Sequence, residues 1–378
     1  MHSVTINEQI LTPLIGEVLQ REKTAVVTWQ QTALQGGTGD LGAGLVGVYH
    51  FYGQARDGDT LLPWSLVLKS IQVAEGQEHA SYLKREWLAY HAHVLASLTG
   101  PVVAPRCLAT TQQPGNQYWI WLEYLVDDYP QPWSLEHYAT AAHHFGQWNG
   151  HSLTGEPLPD IPWFCHSTAR EWTAQAAPEV DFLRTVLDHP LVQLLYPQGQ
   201  AERILQLWDE RERFFQALER LPQTICHNDV FRRNLFGRHN PKSAAQTVAI
   251  DWANLGWGAI GEEVAAMVVG NLGFDEVDWA LAAEFTTLMV EGYLNGLRAA
   301  GWTGDPRLVR LGFTAAAAMK YCFPYVLQQL FSAEQESWRR QVLEESSHNA
   351  FAAAVRKHAF VFALADEARM LMNKLRLA

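Results

Sequence analysis

Several polar side chains lie close together in ICHNDVFRRNLF, the segment at residues 225–236. Asp229 and Asn234 are five residues apart in this segment, and Asp251 directly follows the strand-like stretch TVAI. A carboxylate can orient an attacking hydroxyl group and accept its proton, and carboxylate and amide oxygens suit Mg²⁺. The spacing therefore indicates phosphoryl transfer from ATP, with Asp229 as the base and Asn234 and Asp251 as magnesium ligands. Taken singly, each of them could instead be a turn or cap residue.

Positive charge for the phosphate groups could come from a lysine in a strand and from two arginines. Lys69 lies in the apolar stretch WSLVLKSI, where a lysine is costly unless a phosphate or a carboxylate is its partner. Glu86 on the following helix is the expected carboxylate partner and Glu78 the competitor, although Glu86 could also be a solvated helix-face residue. Arg232 or Arg233 could reach the γ-phosphate.

A glycine-rich stretch precedes these residues in the chain. Gly42, Gly44 and Gly47, followed directly by Val48, spell GxGxxGV. A dinucleotide-binding fingerprint needs a helix after its glycines, whereas a strand is predicted here, so a β-hairpin flap is the better interpretation. Glycines let the backbone approach phosphate oxygens and offer N–H groups to them. A flexible surface hairpin is the alternative interpretation.

The first third of the chain is predicted to form the strands that carry the glycines and Lys69. β-branched and aromatic residues predict strands, and apolar residues at intervals of three and four predict a helix. The predicted strands cover residues 24–31, 48–52, 64–71, 103–110 and 118–124, with a hairpin loop at 53–63 and a helix at 78–98. A Pro-rich patch, DDYPQPW, places the boundary between two lobes near residues 125–133.

The rest of the chain is predicted to be mostly helical. Ser134 is a good N-cap for the helix that follows it. Residues 155–180 contain four prolines and are interpreted as an excursion or lid. An amphipathic helix is predicted at 200–220, a short strand at 247–250, and helical regions at about 277–299, 306–331 and 334–376. Strands followed by helices indicate an α+β protein with two lobes, at residues 1–125 and 126–378.

Composition excludes some classes of function. With 378 residues the chain is long enough for two domains, and 48% hydrophobic residues, including 15 Trp and 16 Phe, argue against disorder. The formal net charge of -12 argues against a nucleic-acid-binding surface and is compatible with a cationic small substrate. The four cysteines form no CxxC pair and are expected to be reduced thiols. We expect no signal peptide and no membrane span, and therefore a cytoplasmic protein.

The order of these elements resembles that of a known family. HNDxxxxN at residues 227–234 is followed by IDW at residues 250–252, with the glycine stretch, Lys69 and Glu86 upstream. This order is similar to that of the aminoglycoside phosphotransferase and choline kinase group, whose members are small-molecule kinases with a protein-kinase-like fold. The resemblance covers roughly residues 25–270. It implies a two-lobed α+β fold, with an N-terminal antiparallel sheet lobe containing one helix and a mostly helical C-terminal lobe.

The resemblance also implies roles for individual residues. It implies that Asp229 is the catalytic base. It implies that Asn234 and Asp251 are magnesium ligands. It also implies that Lys69 binds the nucleotide phosphates with Glu86 as its partner. It further implies a hinge at Glu123 to Leu125, whose backbone would bind adenine. The cofactors would thus be ATP and Mg²⁺.

The chain departs from protein kinases near this loop. Asn228 stands where protein kinases have an arginine, as it does in choline kinases, and Phe231 stands where they have a lysine. His227 is expected to brace the loop. The family has a structural acidic residue further along the chain, which would be Glu262 or Glu263.

The acceptor would bind in the helical lobe. Aromatic faces suit sugars, aromatic groups and quaternary ammonium groups, although aromatic side chains at helical spacing more often belong to the core. The candidate aromatic contacts are Trp163, Phe164, Trp257, Tyr321, Phe323 and Tyr325. The candidate acidic contacts are Glu262, Glu263, Asp275, Glu276 and Asp278. Acidic residues favour an amine-bearing alcohol such as an aminoglycoside, an amino sugar or choline.

The sequence thus predicts an ATP- and Mg²⁺-dependent phosphotransferase that acts on a hydroxyl group of a small molecule. Its partners would be that acceptor and a nucleoside triphosphate, with no nucleic acid and no membrane. The alternative is a nucleotide-binding regulatory pseudokinase or scaffold without phosphoryl transfer. A protein acceptor is less favoured, because no peptide-docking activation segment is recognisable.

Overall fold

A computed structural model describes residues 6–34, 45–77, 80–98, 100–155, 161–239, 245–331 and 347–377. The chain divides into two compact units. The first unit comprises Met1–Pro130, Ile161–Phe164 and Phe236–Leu255, and the second comprises Gln131–Asp160, Cys165–Leu235 and Gly256–Ala378. The lobe division predicted between residues 125 and 126 stays a prediction.

The described residues form an antiparallel sheet early in the chain and mostly helices after it. The strands are β1 (Ala25–Ala33), β2 (Leu45–Asp57), β3 (Thr60–Gln72), β4 (Val102–Val103), β5 (Cys107–Gln113), β6 (Gln117–Glu123), β7 (Gln223–Cys226), β8 (Leu235–Arg238), β9 (Gln246–Ala249) and β10 (Gly256–Ala259). The helices are α1 (Glu8–Leu19), α2 (Arg85–His91), α3 (Leu135–Thr154), α4 (Thr168–Thr185), α5 (Pro190–Leu195), α6 (Gln200–Asp209), α7 (Arg211–Arg220), α8 (Glu262–Ala265), α9 (Asn271–Gly273), α10 (Ala282–Ala299), α11 (Pro306–Tyr321), α12 (Leu327–Phe331) and α13 (Ser347–Leu375). This content confirms the predicted α+β fold class.

The first unit contains a five-stranded antiparallel sheet with the strand order β1-β2-β3-β6-β5. Side chains alternate along β3, so Leu66 and Leu68 are buried in an apolar core while Lys69 projects from the opposite face. Leu11 and Ile15 of α1 belong to the same core. The sequence did not predict α1, which supplies the apolar cover that one face of this sheet requires.

The structure corrects the predicted loop between β2 and β3. Asp57 pairs with Thr60, so the loop predicted at residues 53–63 is reduced to a two-residue turn at Gly58 and Asp59. Gly58 has a φ of 58°, the backbone conformation that two-residue hairpin turns require. Apart from Gly58 and Asp59, the residues of this stretch therefore belong to β2 and β3.

The helix predicted at residues 78–98 is much shorter in the structure. Within it, α2 is flanked by 3₁₀ turns at Ser81–Lys84 and Leu95–Ser97. His93 has a φ of 57°, which a right-handed helix cannot accommodate. Glu86 remains in the first turn of α2.

Elsewhere in the first unit, β4 pairs with β9 in a parallel sense, and Asp251 follows β9 after one intervening residue.

Glycines bring α3 and α10 close together in the second unit. A Cβ atom on Gly146 would lie 2.1 Å from the main-chain oxygen of Tyr293, and one on Gly296 would lie 2.0 Å from that of His143. The two backbones can therefore approach more closely than larger side chains would permit. Ser134 caps α3, as predicted, and forms a capping box with its third helical residue.

Two further predictions for the second unit are wrong. Much of the segment interpreted as an excursion or lid at 155–180 is helix α4, which Ser167 caps by accepting from the N–H of Arg170. Pro178, one of the four prolines of that segment, lies inside α4. The single helix predicted at 200–220 is two helices, because the chain bends at Glu210 between α6 and α7. Among the described residues, no helix is long and apolar enough to cross a membrane.

Candidate active site

Three charged side chains come together in the first unit. The ammonium group of Lys69 lies 2.8 Å from Oδ1 of Asp251 and forms a second ion pair with Glu86. Glu86 is buried and Lys69 is mostly buried, with 3% and 13% of their side chains exposed, whereas the side chain of Asp251 is 37% exposed. The expected Lys69–Glu86 pair is present, and the competitor Glu78 lies outside the described residues.

Asp251 is held in an unusual backbone conformation. Its φ of 64° is left-handed, and a 3₁₀ turn at Trp252–Asn254 follows it. The N–H of Trp252 donates to Oε1 of Glu86 at 3.3 Å, and the indole N–H of Trp252 donates to the main-chain oxygen of Ala249 at 2.8 Å. Arg85 adds a bond to the main-chain oxygen of Ala253 at 2.8 Å. The first turn of α2 therefore anchors the turn that presents Asp251.

Charge and burial act in opposite directions on this cluster. Burial by itself would lower the pKa of Lys69, but the charges of Asp251 and Glu86 outweigh it and raise that pKa above its ordinary value. Burial raises the pKa of Glu86, and the adjacent Lys69 opposes this effect. Lys69 is thus a firmly charged cation with two carboxylate partners.

The predicted hinge follows β6. Glu123 uses its carboxylate within the unit, where Oε1 accepts from the N–H of Arg106 at 2.9 Å and from the guanidinium of Arg238 at 2.7 Å. Leu125 lies in the irregular segment after β6 and is half-buried. Asp127 ties this segment to β8, because its Oδ1 accepts from the N–H of Gly237 at 3.0 Å. The side chains of Glu123 and Asp127 thus anchor the chain at the start of the predicted hinge and just after it.

Only part of the glycine stretch can be located. Gly42 and Gly44 lie outside the described residues. Gly47 lies in β2, where a Cβ atom would come within 2.7 Å of the ring of Tyr49, so the position favours glycine. Val48 pairs with Lys69 across β2 and β3.

Asp229 and Asn234 come together in the second unit, in the loop that leaves β7. The Nδ2 of Asn234 donates to the main-chain oxygen of Asp229 at 2.9 Å and to its Oδ2 at 3.1 Å. Asn234 ends a 3₁₀ turn at Arg232–Asn234 and is buried. Because its Nδ2 faces Asp229, the Oδ1 of Asn234 is the atom suited to a hard cation such as Mg²⁺.

The two neighbouring glutamates of α8 have different roles. Glu263 accepts from the N–H of His227 at 2.5 Å through Oε1 and from the N–H of Asn228 at 3.0 Å through Oε2. Glu262 accepts instead from Thr168 at 2.9 Å and from the N–H of Ala259 at 3.1 Å. Both are buried, and Glu262, which was predicted to contact the substrate, is 3% exposed. Glu263 is therefore the acidic residue that braces the loop.

Burial and hydrogen bonding compete at Glu263. Burial raises its pKa to about 7, although the N–H groups of His227 and Asn228 and the charge of Lys320 favour the ionised form. His227 is fully buried, and its Nδ1 accepts from the N–H of Asp229 at 3.2 Å. This contact agrees with the expected bracing role of His227.

Both arginines of the loop have partners within the second unit. The guanidinium of Arg232 donates to the main-chain oxygen of Leu235 and to Gln131, each at 2.6 Å, and lies over the ring of Trp133. Arg233 pairs with Glu276 at 2.8 Å and is 55% exposed. These bonds hold the loop in place, and the suggested contact of either arginine with the γ-phosphate stays a prediction.

The predicted aromatic contacts differ in their surroundings. Burial, together with the charge of Asp229, raises the pKa of Tyr321 well above its ordinary value. Trp257 of β10 is half-buried, and its N–H donates to Cys165 at 2.7 Å. Trp163 belongs to the first unit, where its main-chain oxygen accepts from Arg85. Phe164 and Phe323 are buried, and the hydroxyl of Tyr325 donates to the main-chain oxygen of Lys320.

The sequence reasoning missed Lys320, which is 1% exposed and donates to the main-chain oxygen of Asn228 at 2.8 Å. A signal for it was present, because Lys320 is the only charged residue in FTAAAAMKYCF. The argument that singled out Lys69, a lysine that needs a partner in an apolar stretch, applies equally to Lys320.

Comparisons with known proteins identify the family. Residues 86–307, more than half of the chain, match the model of the phosphotransferase enzyme family. No curated protein sequence matches the chain significantly. One similar solved structure is the amicoumacin kinase hAmiN in complex with AMP-PNP, Ca²⁺ and Ami, at 12% identity and a TM-score of 0.54 over 94% of each chain. Another is an aminoglycoside phosphotransferase from Alicyclobacillus acidocaldarius subsp. acidocaldarius DSM 446, at 15% identity and a TM-score of 0.50 over 84% of this chain and 92% of that one.

These structural likenesses confirm the protein-kinase-like fold. The match to the family model confirms the resemblance that the motifs indicated. The chain belongs to the phosphotransferase enzyme family.

Proposed function

We propose that this phosphotransferase is a small-molecule kinase, which transfers the γ-phosphoryl group of ATP to a hydroxyl group with the help of Mg²⁺. The observation that carries the proposal is the pairing of Lys69 with both Glu86 and Asp251. A mostly buried, firmly charged lysine beside a partly exposed carboxylate is the arrangement that a phosphate chain and its metal ion need.

Nucleotide binding would rest on residues of the first unit. Lys69 would contact the phosphates with Glu86 as its partner, and the backbone from Glu123 to Leu125 would bind the adenine ring. Gly42, Gly44 and Gly47 would let the backbone approach the phosphates. The anchoring of this segment by Glu123 and Asp127 supports this assignment, because hydrogen bonding to a base needs donors and acceptors that are already in place.

The donor set fits a magnesium ion. Asn234 and Asp251 offer an amide oxygen and a carboxylate, which are hard oxygen ligands, and Mg²⁺ needs only one or two carboxylates beside phosphates and water. The ion would neutralise charge on the transferred phosphoryl group.

Asp229 would act as the base. Its carboxylate would orient the acceptor hydroxyl and take its proton as the hydroxyl oxygen bonds to the γ-phosphorus. The bond from that phosphorus to the β–γ bridging oxygen breaks, and ADP leaves with the electron pair. Asn234 supports this role, because its amide holds the Asp229 carboxylate in one orientation.

The acceptor would be a small alcohol, and an amine-bearing one is favoured by the net charge of -12. The acidic residues that were predicted to contact the acceptor give weaker support for an amine group than the sequence indicated. Glu262 and Glu263 are buried, Glu276 pairs with Arg233, and Asp278 caps the N–H of Ala280. Asp275 is exposed.

The test is ATP turnover with a panel of aminoglycosides, amino sugars and amino alcohols, each with and without Mg²⁺. We expect Asp229→Ala and Asp251→Ala to lower the rate by on the order of 10²-fold or more. Asp209→Ala, which removes a 62% exposed carboxylate paired with Arg184, is the matched control and should keep full activity. Undiminished turnover in Asp229→Ala would refute the assignment of the base. ATP binding without Mg²⁺, combined with no transfer to any acceptor, would favour the regulatory pseudokinase instead.

A further inference from the structure

A buried lysine lies against the loop that carries Asp229. Lys320 is in the last turn of α11, and its ammonium group donates to the main-chain oxygen of Asn228 at 2.8 Å. The same ammonium group lies 4.8 Å from the centre of the Trp172 ring. A cation this deeply buried is costly unless hydrogen bonds and nearby charge compensate it. The position of this cation next to the residue that precedes the proposed base therefore requires an explanation.

Asn228 is held from several directions. Its φ of 69° is left-handed, a conformation that costs a non-glycine residue on the order of 1 kcal/mol. Its N–H donates to Glu263 at 3.0 Å, and its side-chain amide oxygen lies 3.1 Å from the hydroxyl oxygen of Thr168. Its main-chain oxygen accepts from Lys320. The carboxylate of Glu263 thus binds the N–H of Asn228, and the ammonium group of Lys320 binds its main-chain oxygen.

The bond from Lys320 fixes the peptide that leads into Asp229. The main-chain oxygen of Asn228 and the N–H of Asp229 belong to the same planar peptide group. Lys320 holds that oxygen, and Nδ1 of His227 accepts from that N–H at 3.2 Å. A rotation of this peptide would break both bonds and would turn the Cα–Cβ bond of Asp229.

The buried cation against this loop comes from a distant part of the sequence. Two positions after Asp229, where protein kinases have a lysine, this chain has Phe231. The Phe231 ring packs against that of Phe274, with 4.9 Å between the ring centres. Lys320, 92 residues away from Asn228, brings its charge to the main-chain oxygen of that residue.

We propose that Lys320 is a positioning residue for phosphoryl transfer, which orients the carboxylate of Asp229 by holding the main-chain oxygen of Asn228. This inference rests on the proposed role of Asp229 as the base. Lys320 would contact neither the acceptor nor the nucleotide, so its effect should fall on the chemical step and not on substrate binding.

Steady-state kinetics test this role. Lys320→Met keeps the length of the side chain but removes the charge and the donor, and a misoriented base should lower kcat on the order of 10²-fold. The KM values for ATP and the acceptor should change by less than about threefold. Lys320→Arg keeps both the charge and a donor and should recover kcat to within about tenfold of the wild type. If Lys320→Met does not fold, Lys320→Gln, which retains a donor without the charge, takes its place.

Thr173→Val is the matched control. The hydroxyl of Thr173 donates to the main-chain oxygen of Met319, next to Lys320, at 3.1 Å, so the variant loosens the same α4–α11 packing without touching the loop. Its kcat should stay close to that of the wild type. An equal loss of kcat in Thr173→Val and Lys320→Met would overturn the positioning role, because general loosening would then explain both.

Amide hydrogen exchange provides a readout that needs no acceptor. The N–H groups of His227, Asn228 and Asp229 should exchange faster in Lys320→Met than in the wild type and at wild-type rates in Lys320→Arg. Asp229→Ala should lower the rate of transfer by on the order of 10²-fold or more without this increase in amide exchange. Full activity in Asp229→Ala would refute the proposed base. Loss of activity in Asp229→Ala, with unchanged kcat and exchange in Lys320→Met, would overturn the role of Lys320 alone.

Discussion

The side-chain amide of Asn234 donates to the carboxylate of Asp229 at 3.1 Å and to its main-chain oxygen at 2.9 Å. One asparagine therefore fixes both the backbone and the side chain of the proposed base. The remaining amide oxygen is the atom that would bind the proposed magnesium ion. Two tasks that the sequence assigns to separate residues are thus physically linked in this pair.

Asn234→Ala tests this link. The variant removes two hydrogen bonds to Asp229 and one proposed metal ligand, so we expect kcat to fall on the order of 10²-fold or more. The concentration of Mg²⁺ needed for half-maximal rate should rise as well. Steady-state rates over a magnesium titration measure both effects. Asn295→Ala, which removes an exposed asparagine amide that accepts from Arg298, is the control and should behave as the wild type. A normal magnesium requirement in Asn234→Ala would contradict the ligand assignment.

The cluster of Lys69, Glu86 and Asp251 should affect stability and activity differently. Lys69→Met leaves the buried Glu86 without its cation, which should reduce the free energy of unfolding by about 3–5 kcal/mol. The double variant Lys69→Met/Glu86→Gln removes the stranded charge and keeps an acceptor for the N–H of Trp252, so it should recover most of that loss. Denaturant unfolding measures both values, and ATP turnover should stay low in both variants. A double variant no more stable than Lys69→Met would show that charge burial is not the cause.

The site could be predicted from the sequence where residue type alone specifies a partner. Lys69 in an apolar strand needs a nearby carboxylate, and the following helix offered Glu86, which is its partner in the structure. The same logic could not name the partner of Lys320, because that partner is a main-chain oxygen, which every residue possesses. A contact of this kind depends on how the chain folds, so the residue types do not identify which main-chain oxygen is the partner.

Direction on a helix is another limit of the sequence. Glu262 and Glu263 are adjacent in α8, and neighbouring helical side chains project about 100° apart. Small changes in the start of the helix would exchange their roles, so the sequence could not identify Glu263 as the brace. The prediction of helix boundaries was also limited. Proline by itself disfavours a helix interior, yet Pro178 lies inside α4.

Glu263 should make the stability of the protein depend on pH. Its pKa is about 7 in the folded protein and about 4.5 when unfolded, so between these values the folded state retains a proton that the unfolded state has released. The contribution of Glu263 to the free energy of unfolding is therefore complete below pH 4.5 and is lost as the pH rises through 7, by on the order of 3 kcal/mol.

Comparison with Glu263→Gln isolates this contribution. Burial lowers the pKa values of His144 and His358 to about 4. These two histidines therefore reduce the free energy of unfolding in the opposite direction, as the pH falls from 6.5. Both histidines are unchanged in the variant, and their effects cancel in the difference. Denaturant unfolding at several pH values should show the wild type losing its advantage over Glu263→Gln between pH 4.5 and 7. A difference that is constant over this range would contradict a raised pKa at Glu263.

The contact between α3 and α10 should tolerate no added atoms. Gly146→Ala and Gly296→Ala would each place a methyl group about 2 Å from a main-chain oxygen of the opposite helix, so the two helices must separate. We expect each variant to lower the free energy of unfolding by at least about 2 kcal/mol, as overpacked cores do. Gly273→Ala is the control, because the nearest atom to its new methyl group would be Cδ of Lys357 at 3.9 Å. Denaturant unfolding should find Gly273→Ala close to the wild type, and equal stability of all three variants would show that α3 and α10 can move apart at little cost.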